Sequence, residues 1–68
     1  ERIVVGGNTF WIVRTSIQTL IYPFGGGNSL TSFKGDQMIR SDSEVRVVDA
    51  VSVSVDCYDG VSRTVTLK

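Results

Sequence analysis

From Glu44 to Cys57 the chain alternates between apolar and polar positions. Odd positions carry Val45, Val47, Asp49, Val51, Val53, Val55 and Cys57, whereas Glu44, Arg46, Ser52, Ser54 and Asp56 stand at even ones. A period of two places these sets on opposite faces of a strand, one buried and one solvated. Valine density argues for strand over helix, because a β-branched side chain loses χ1 freedom in a helix and packs well on a pleated surface. After Tyr58-Asp59-Gly60 the alternation resumes from Val61 to Leu67. A three-residue loop with Gly60 in the left-handed conformation sets Cys57 opposite Val61, Val53 opposite Val65 and Val51 opposite Leu67. A two-residue Asp59-Gly60 turn would oppose valines to threonines. Since a slip of one residue turns a strand's side chains to the wrong face, the pattern predicts the longer loop. That register aligns Ser54 with Thr64 and Ser52 with Thr66, so the hairpin's outer face is expected to be rich in hydroxyls.

The N-terminal half repeats this logic less cleanly. Arg2 to Val5 reads as a short strand, Gly6-Gly7-Asn8 as a tight turn, and Thr9 to Tyr22 as a long β-prone run completing a second hairpin. Val13, Ile17 and Ile21 share one parity against Arg14, Ser16 and Gln18. The ends of the run, Phe10-Trp11-Ile12 and Leu20-Ile21-Tyr22, are apolar on both parities, which predicts cover on two sides or a bulge. The run also exceeds a typical strand, so a strong bend or a shift between two sheets or barrel layers is expected. Pro23 has no N–H for a ladder and three glycines follow Phe24, so Tyr22 to Ser29 is expected to be an exposed loop. Leu30 to Phe33 and Gln37 to Ile39 read as short strands around a Lys34-Gly35-Asp36 turn, with Ser41-Asp42-Ser43 as the next turn. No apolar stripe of helical spacing persists, although Asp42 or Ser43 could cap a single helical turn. The pattern predicts an all-β fold, a small five- to six-stranded barrel or two-layer sandwich of mostly antiparallel hairpins, with positions 1-68 forming one small β domain.

Composition narrows how such a fold is held. At 68 residues the chain falls below the usual domain size, and a chain of this length buries only about 60% of the surface it exposes when unfolded. Its single cysteine and lack of histidine remove an intrachain disulfide and the usual ligands of structural zinc. Good packing or association must substitute. Seven basic and seven acidic residues give a net charge of zero, with the signs interspersed. This disfavours a nucleic-acid partner or an anionic membrane surface, where a basic excess supplies most non-specific affinity, and it does little to oppose self-association. No stretch approaches the roughly 18 consecutive apolar residues of a membrane helix. The start at Glu1 suggests a chain processed or trimmed from a longer one. The compartment is left open by the lone cysteine.

The polar residues suggest no catalysis. General acid–base or nucleophilic chemistry needs a base beside a nucleophile or a carboxylate pair in a pocket. Glu1, Asp36, Asp42, Glu44, Asp49, Asp56 and Asp59 stand mostly beside turn residues, where their oxygens accept backbone N–H bonds. Asp56 to Gly60 lacks the further oxygens a calcium loop requires. Cys57 reads as a small buried hydrophobe. No cofactor is expected. Asp49 carries the parity of the buried valines, so it marks a strand break or bulge near Val48-Asp49 or pairs with Arg14 or Arg63. Arg2-Ile3-Val4-Val5-Gly6-Gly7 resembles the activated N-terminus of trypsin-like serine proteases, but the extra valine, the missing histidine and the short chain rule that family out.

Recognition falls to four features. Gly25-Gly26-Gly27-Asn28-Ser29 lacks the lysine and helix of a phosphate loop; flanked by Tyr22 and Phe24, it reads as an adaptable contact element or, alternatively, as the lid of one core end. Phe10 and Trp11 are adjacent, so one must face outward unless a second layer covers it; Trp11 is taken as the candidate. The hydroxyl face adds Ser52, Ser54, Thr64 and Thr66, and free strand edges offer a place for another chain to pair. The function expected is therefore that of a non-catalytic structural or interaction module acting by protein–protein contact or self-association within a larger assembly, such as a virion, appendage or surface structure. Gly7 to Ser16 resembles short stretches of small phage head–tail joining proteins, over too few residues to assign a family. The alternative is a small barrel that holds single-stranded nucleic acid or a glycan on exposed aromatics.

Overall fold

The computed structural model describes residues 1–67; Lys68, the last position of the expected 1-68 domain, lies outside them. It is all-β, with two antiparallel sheets. The first is a meander of β1 (Arg2–Val5), β2 (Asn8–Arg14), β3 (Gln18–Pro23) and β4 (Thr31–Lys34) in that order. The second orders β5 (Arg46–Val47), β6 (Ser52–Asp56) and β7 (Ser62–Thr66). Seven strands thus replace the expected five or six, and the ladders close no barrel among the described residues. An isolated bridge between Ile39 and Cys57 ties the connecting segment to the second sheet. Among the described residues no helix is long and apolar enough to cross a membrane.

Both sheets turn one face toward a single apolar cluster. Val5, Phe10, Ile12, Ile21 and Phe33 come from the first, Val53, Val55, Cys57 and Leu67 from the second, and Ile39 from the connection. Ile21, Val53, Val55 and Cys57 are wholly inaccessible. The fold therefore rests on a small core in which neither sheet can be covered without the other.

The C-terminal hairpin has the register expected of it. Val53 pairs with Val65 and Ser54 with Thr64, the Cys57 N–H donates to the Val61 carbonyl at 3.1 Å, and the Leu67 N–H donates to Val51. Gly60 takes φ +83°, and its N–H closes the loop onto the Cys57 carbonyl at 3.0 Å. Upstream, the valine alternation is not one strand. The chain reverses between Val47 and Ser52, and β5 folds back on β6 with Val47 opposite Val53. Asp49 sits in this break rather than in an ion pair: its Oδ1 accepts the Val51 N–H at 2.9 Å. The alternation runs through the reversal because loop residues keep the parity of the strands they join, so the pattern alone hides the turn.

Thr9 to Tyr22 holds a similar surprise. The expected bend is a complete reversal at Thr15–Gln18, pairing Ile12 with Ile21 and Trp11 with Tyr22. No glycine, proline or asparagine marks this turn. Thr15 makes it instead: its Oγ1 donates to the Gln18 carbonyl at 2.8 Å and accepts the N–H groups of Gln18 and Ile17 at 3.0 and 3.3 Å. Ile17 consequently lies at the tip, 72% exposed, and Val13, 40% exposed, faces outward, so the expected shared face with buried Ile21 does not form.

Pro23 ends β3 rather than opening the loop. It stands opposite Phe10, while the next residue, Phe24, donates its N–H to the Thr9 carbonyl at 3.0 Å. Bonded and non-bonded pairs alternate along an antiparallel ladder, so Pro23 occupies a non-bonded position where its missing N–H costs nothing. Leu30 precedes β4, though its N–H reaches the Ile21 carbonyl at 2.8 Å. Gln37 to Ile39 is not a returning strand: Gly35–Gln37 forms a 3-10 turn without a side-chain cap, and only Ile39 bridges to a sheet. That turn, not one begun by Asp42 or Ser43, is the single helical turn observed.

Two contacts lock the sheets together. Gly6 and Gly7 form the β1–β2 turn with φ +58° and +81°, matching the twist of a two-residue hairpin. A side chain on Gly6 would run into the Ala50 carbonyl. The β1–β2 turn thus packs backbone against backbone on the β5–β6 turn. At the opposite end Arg14 reaches from β2 to the connection, donating to the carbonyls of Arg40 and Ser43 at 3.1 and 3.0 Å and pairing through Nε with Glu1 at 3.3 Å.

Candidate functional site

Registers in the first sheet decide what its outer face presents. Because Phe10, Ile12, Thr19, Ile21 and Phe33 point into the core, the alternate residues Arg2, Val4, Thr9, Trp11, Val13, Gln18, Leu20, Tyr22, Ser32 and Lys34 point away from it. Cross-strand pairing lines them up in rows. Arg2 lies opposite Trp11 and Trp11 opposite Tyr22, while Val13 lies opposite Leu20 and Leu20 opposite Ser32. Val4, Trp11 and Val13 are 61, 40 and 40% exposed. Leu20 and Tyr22 are half-buried by their neighbours.

Phe24 joins this face from the loop. Its N–H bond to Thr9 holds the backbone beside β2, and its ring stacks on Trp11 with centroids 5.4 Å apart and planes inclined by 26°. The Arg2 guanidinium stands over both rings, 5.6 Å from the Trp11 centroid and 5.7 Å from that of Phe24. A cation over an aromatic face is attracted by the ring quadrupole, so the three side chains restrain one another. Among the described residues the only charged groups on this face are the cations Arg2 and Lys34, at its two edges. Beyond Phe24, Gly25, Gly26 and Gly27 adopt φ +112°, +111° and +104°, and with Asn28 they form an exposed tip. A groove of about 640 Å³ runs from this loop toward the second sheet, lined among others by Thr9, Phe10, Phe24, Leu30, Val51 and Leu67.

The structure thus brings Trp11, Tyr22, Phe24 and the Gly25–Asn28 tip to one side of the molecule. Phe10, not Trp11, is the core member of the adjacent pair. Arg2, Val4, Val13 and Leu20 belong to the same face but were not singled out from the sequence. Their trace there was the apolar character of both parities near Trp11 and Tyr22.

The hydroxyl face of the second sheet lies apart and differs in kind. Ser52 is buried, at 6% exposure, so it is unavailable for contact and that expectation is corrected: it stands next to the β5–β6 reversal, where its carbonyl accepts the Val48 N–H. Ser54 accepts a bond from Arg46 at 3.2 Å; Thr64 and Thr66 are exposed. Asp56 lies at the centre of a polar network. Arg46 donates to both its oxygens, at 2.9 and 3.0 Å, and Ser62 and Ser43 donate at 2.7 and 3.1 Å. The Arg46 bond, then those of Ser62 and Ser43, hold the Asp56 carboxyl well below the usual range, and Asp56 in turn raises the Arg46 guanidinium. A carboxylate so saturated with donors is a poor proton acceptor. Asp59 is similar: a bidentate Arg63 at 2.8 and 3.0 Å, then the Val61 N–H, lower its pKa. Ser41, through its side chain first and then through its N–H, which the Tyr58 hydroxyl accepts at 3.3 Å, stabilises the phenolate and lowers the Tyr58 pKa. Among the described residues no group of three or more histidine, cysteine or carboxylate side chains is placed to hold a metal.

Comparison of the chain with protein-family profiles, curated proteins and solved structures returned no match.

Proposed function

We propose that this is a non-catalytic interaction module of two-layer sandwich character, and that it docks a protein partner on the outer face of the β1–β4 sheet as part of a larger assembly. The observation that carries this reading is the exposed Val4, Trp11, Val13 and Phe24 on one face, with the Arg2 guanidinium over the Trp11 and Phe24 rings. Burying exposed apolar surface yields about 25 cal/mol per Å², and a contiguous patch of this kind, rather than scattered apolar residues, is what marks a contact surface. Tryptophan and arginine are also the residue types that carry most binding energy where partners meet. Charge indicates the partner's chemistry. With Arg2 and Lys34 as its charges among the described residues, the face suits an apolar segment bearing carboxylates. The exposed Gly25–Asn28 tip gives the face an adaptable rim.

Trp11 is the only tryptophan in the chain, so its fluorescence reports on this face alone. Titration with a synthetic peptide alternating leucine and glutamate is expected to shift the Trp11 emission to the blue, with amide shifts confined to β1–β4; a leucine–lysine peptide should do neither. The stacked rings and Arg2 also suit a nucleobase. Quenching by an oligothymidylate that salt reverses, without a response to the acidic peptide, would replace the protein partner by single-stranded nucleic acid. Silence toward both probes would remove the face as a site.

A further inference from the structure

We infer that the free edge of β7 is a self-pairing site, at which a second copy of this chain adds its own β7 antiparallel to form a continuous six-stranded sheet. The inference concerns the second sheet and stands independently of the face formed by β1–β4.

Among the described residues four strand edges are open, belonging to β1, β4, β5 and β7, and three carry features that discourage pairing. β5 has only two residues. β4 places Lys34 on its rim, and its pairing with β3 is irregular where the Leu30 N–H reaches Ile21 ahead of the Ile21–Thr31 pair. β1 carries Arg2, whose guanidinium lies across the Trp11 and Phe24 rings. Short length, edge charge and local irregularity are the devices by which sheets avoid joining edge to edge. β7 is the least protected of the four. Its five residues, Ser-Arg-Thr-Val-Thr, contain no proline or glycine, and the one charge, Arg63, is bound back to Asp59 within its own hairpin.

Backbone geometry fixes which groups are free. The Cys57–Val61 and Val51–Leu67 bonds show that the odd residues of β7 bond toward β6, so the N–H and C=O groups of Ser62, Thr64 and Thr66 point away from it. A two-fold axis through Thr64 pairs Thr64 with its copy and Ser62 with Thr66 of the other chain. On the outer face this register stacks hydroxyl on hydroxyl, a favourable cross-strand pairing. On the inner face it sets Arg63 beside Val65 and Val61 beside Leu67, so no like charges meet. Val61, 48% exposed in the single chain, would gain an apolar neighbour. An isologous contact of this kind closes on itself and stops at two copies.

Light scattering after size exclusion over a concentration series is expected to show a monomer–dimer equilibrium. Amide exchange should locate it: the Ser62, Thr64 and Thr66 N–H groups should slow at least tenfold from dilute to concentrated protein, whereas Arg63 and Val65, already bonded to β6, should not change. Thr64→Pro removes only an outward donor and should weaken dimerisation at least tenfold with the β circular dichroism retained. Thr64→Lys, which opposes two like charges at the axis, provides the same test should the proline variant not fold. A chain that stays monomeric at millimolar concentration, a dimer whose three amides exchange unchanged, or a folded variant that dimerises like the parent would each overturn the inference.

Discussion

The two sheets bury equivalent faces and expose opposite ones. Inward, both present tightly packed aliphatic side chains to one cluster. Outward, the second sheet satisfies itself: Asp56 takes donors from Arg46, Ser62 and Ser43. The first sheet leaves Val4, Trp11, Val13 and Phe24 in water with no carboxylate among them. Folding requires a buried face of each sheet and says nothing about the other. What a sheet does with its outer face is therefore the clearest guide to where the molecule has work besides folding, and here that guide singles out β1–β4.

If the two sheets share one core, damage to either should melt both. Ile21→Ala, at a fully buried site of the first sheet facing the second, is expected to cost about 2–5 kcal/mol. Near-ultraviolet signals of Trp11 and Tyr58, one in each half, should be lost in the same denaturant transition. Separate transitions would break the comparison at its root. Next in size is Gly6→Ala. The left-handed backbone alone costs a side chain about 1–2 kcal/mol, and the Ala50 carbonyl blocks the space as well. The same change at Gly7, where the space is open, should cost only the backbone part. Equal losses would deny the contact between the two turns.

Acid should act on the second sheet alone. The folded pKa values of Asp56 and Asp59 are depressed, by bonds from Arg46 and Arg63 first of all. A depressed carboxylate contributes stability that is fully present above its unfolded pKa, about 3.9, and is lost as pH falls from there through the folded value. Thermal unfolding is thus expected to be flat from neutrality down to about pH 5 and to weaken below it. Asp56→Asn should flatten the acid limb while lowering stability at pH 7. No change in that limb for Asp56→Asn would show that the network does not distinguish the two faces.

How much of this was legible follows the physics of each element. The β6–β7 register was readable because burial on one face forbids the alternative, and Gly60 marks the turn. At Val48-Asp49 the sequence marks a break and within Thr9–Tyr22 a bend, but that each is a full reversal is not readable from it. Beside its backbone bonds each is braced by one side-chain oxygen, Thr15 Oγ1 and Asp49 Oδ1, within β-prone sequence that keeps its parity through the turn. Ser52 was misjudged for a related reason, since parity gives the direction of a side chain but not what covers it. The interaction face was half legible: two adjacent aromatics force one outward, yet only the pairing of Trp11 with Arg2 and the return of Phe24 to Thr9 reveal that a cation and a second ring meet it.

The smallest expected effect concerns that meeting. Trp11, Phe24 and Arg2 are partly exposed, so their mutual contacts should matter little for folding, and stacked aromatic pairs contribute about 0.5–1.5 kcal/mol beyond burial. A double-mutant cycle with Trp11→Leu and Phe24→Leu, read by urea unfolding, is expected to give a coupling in the lower half of that range, which Arg2→Gln should reduce further. The two faces then separate cleanly. Changes around Asp56 should alter stability and its pH dependence but leave the acidic-peptide response intact, whereas changes at Trp11 and Phe24 should abolish that response at little cost in stability. A Trp11–Phe24 coupling well above 1.5 kcal/mol would place the pair with the structural network instead, and the outer face of β1–β4 would then need no partner to account for it.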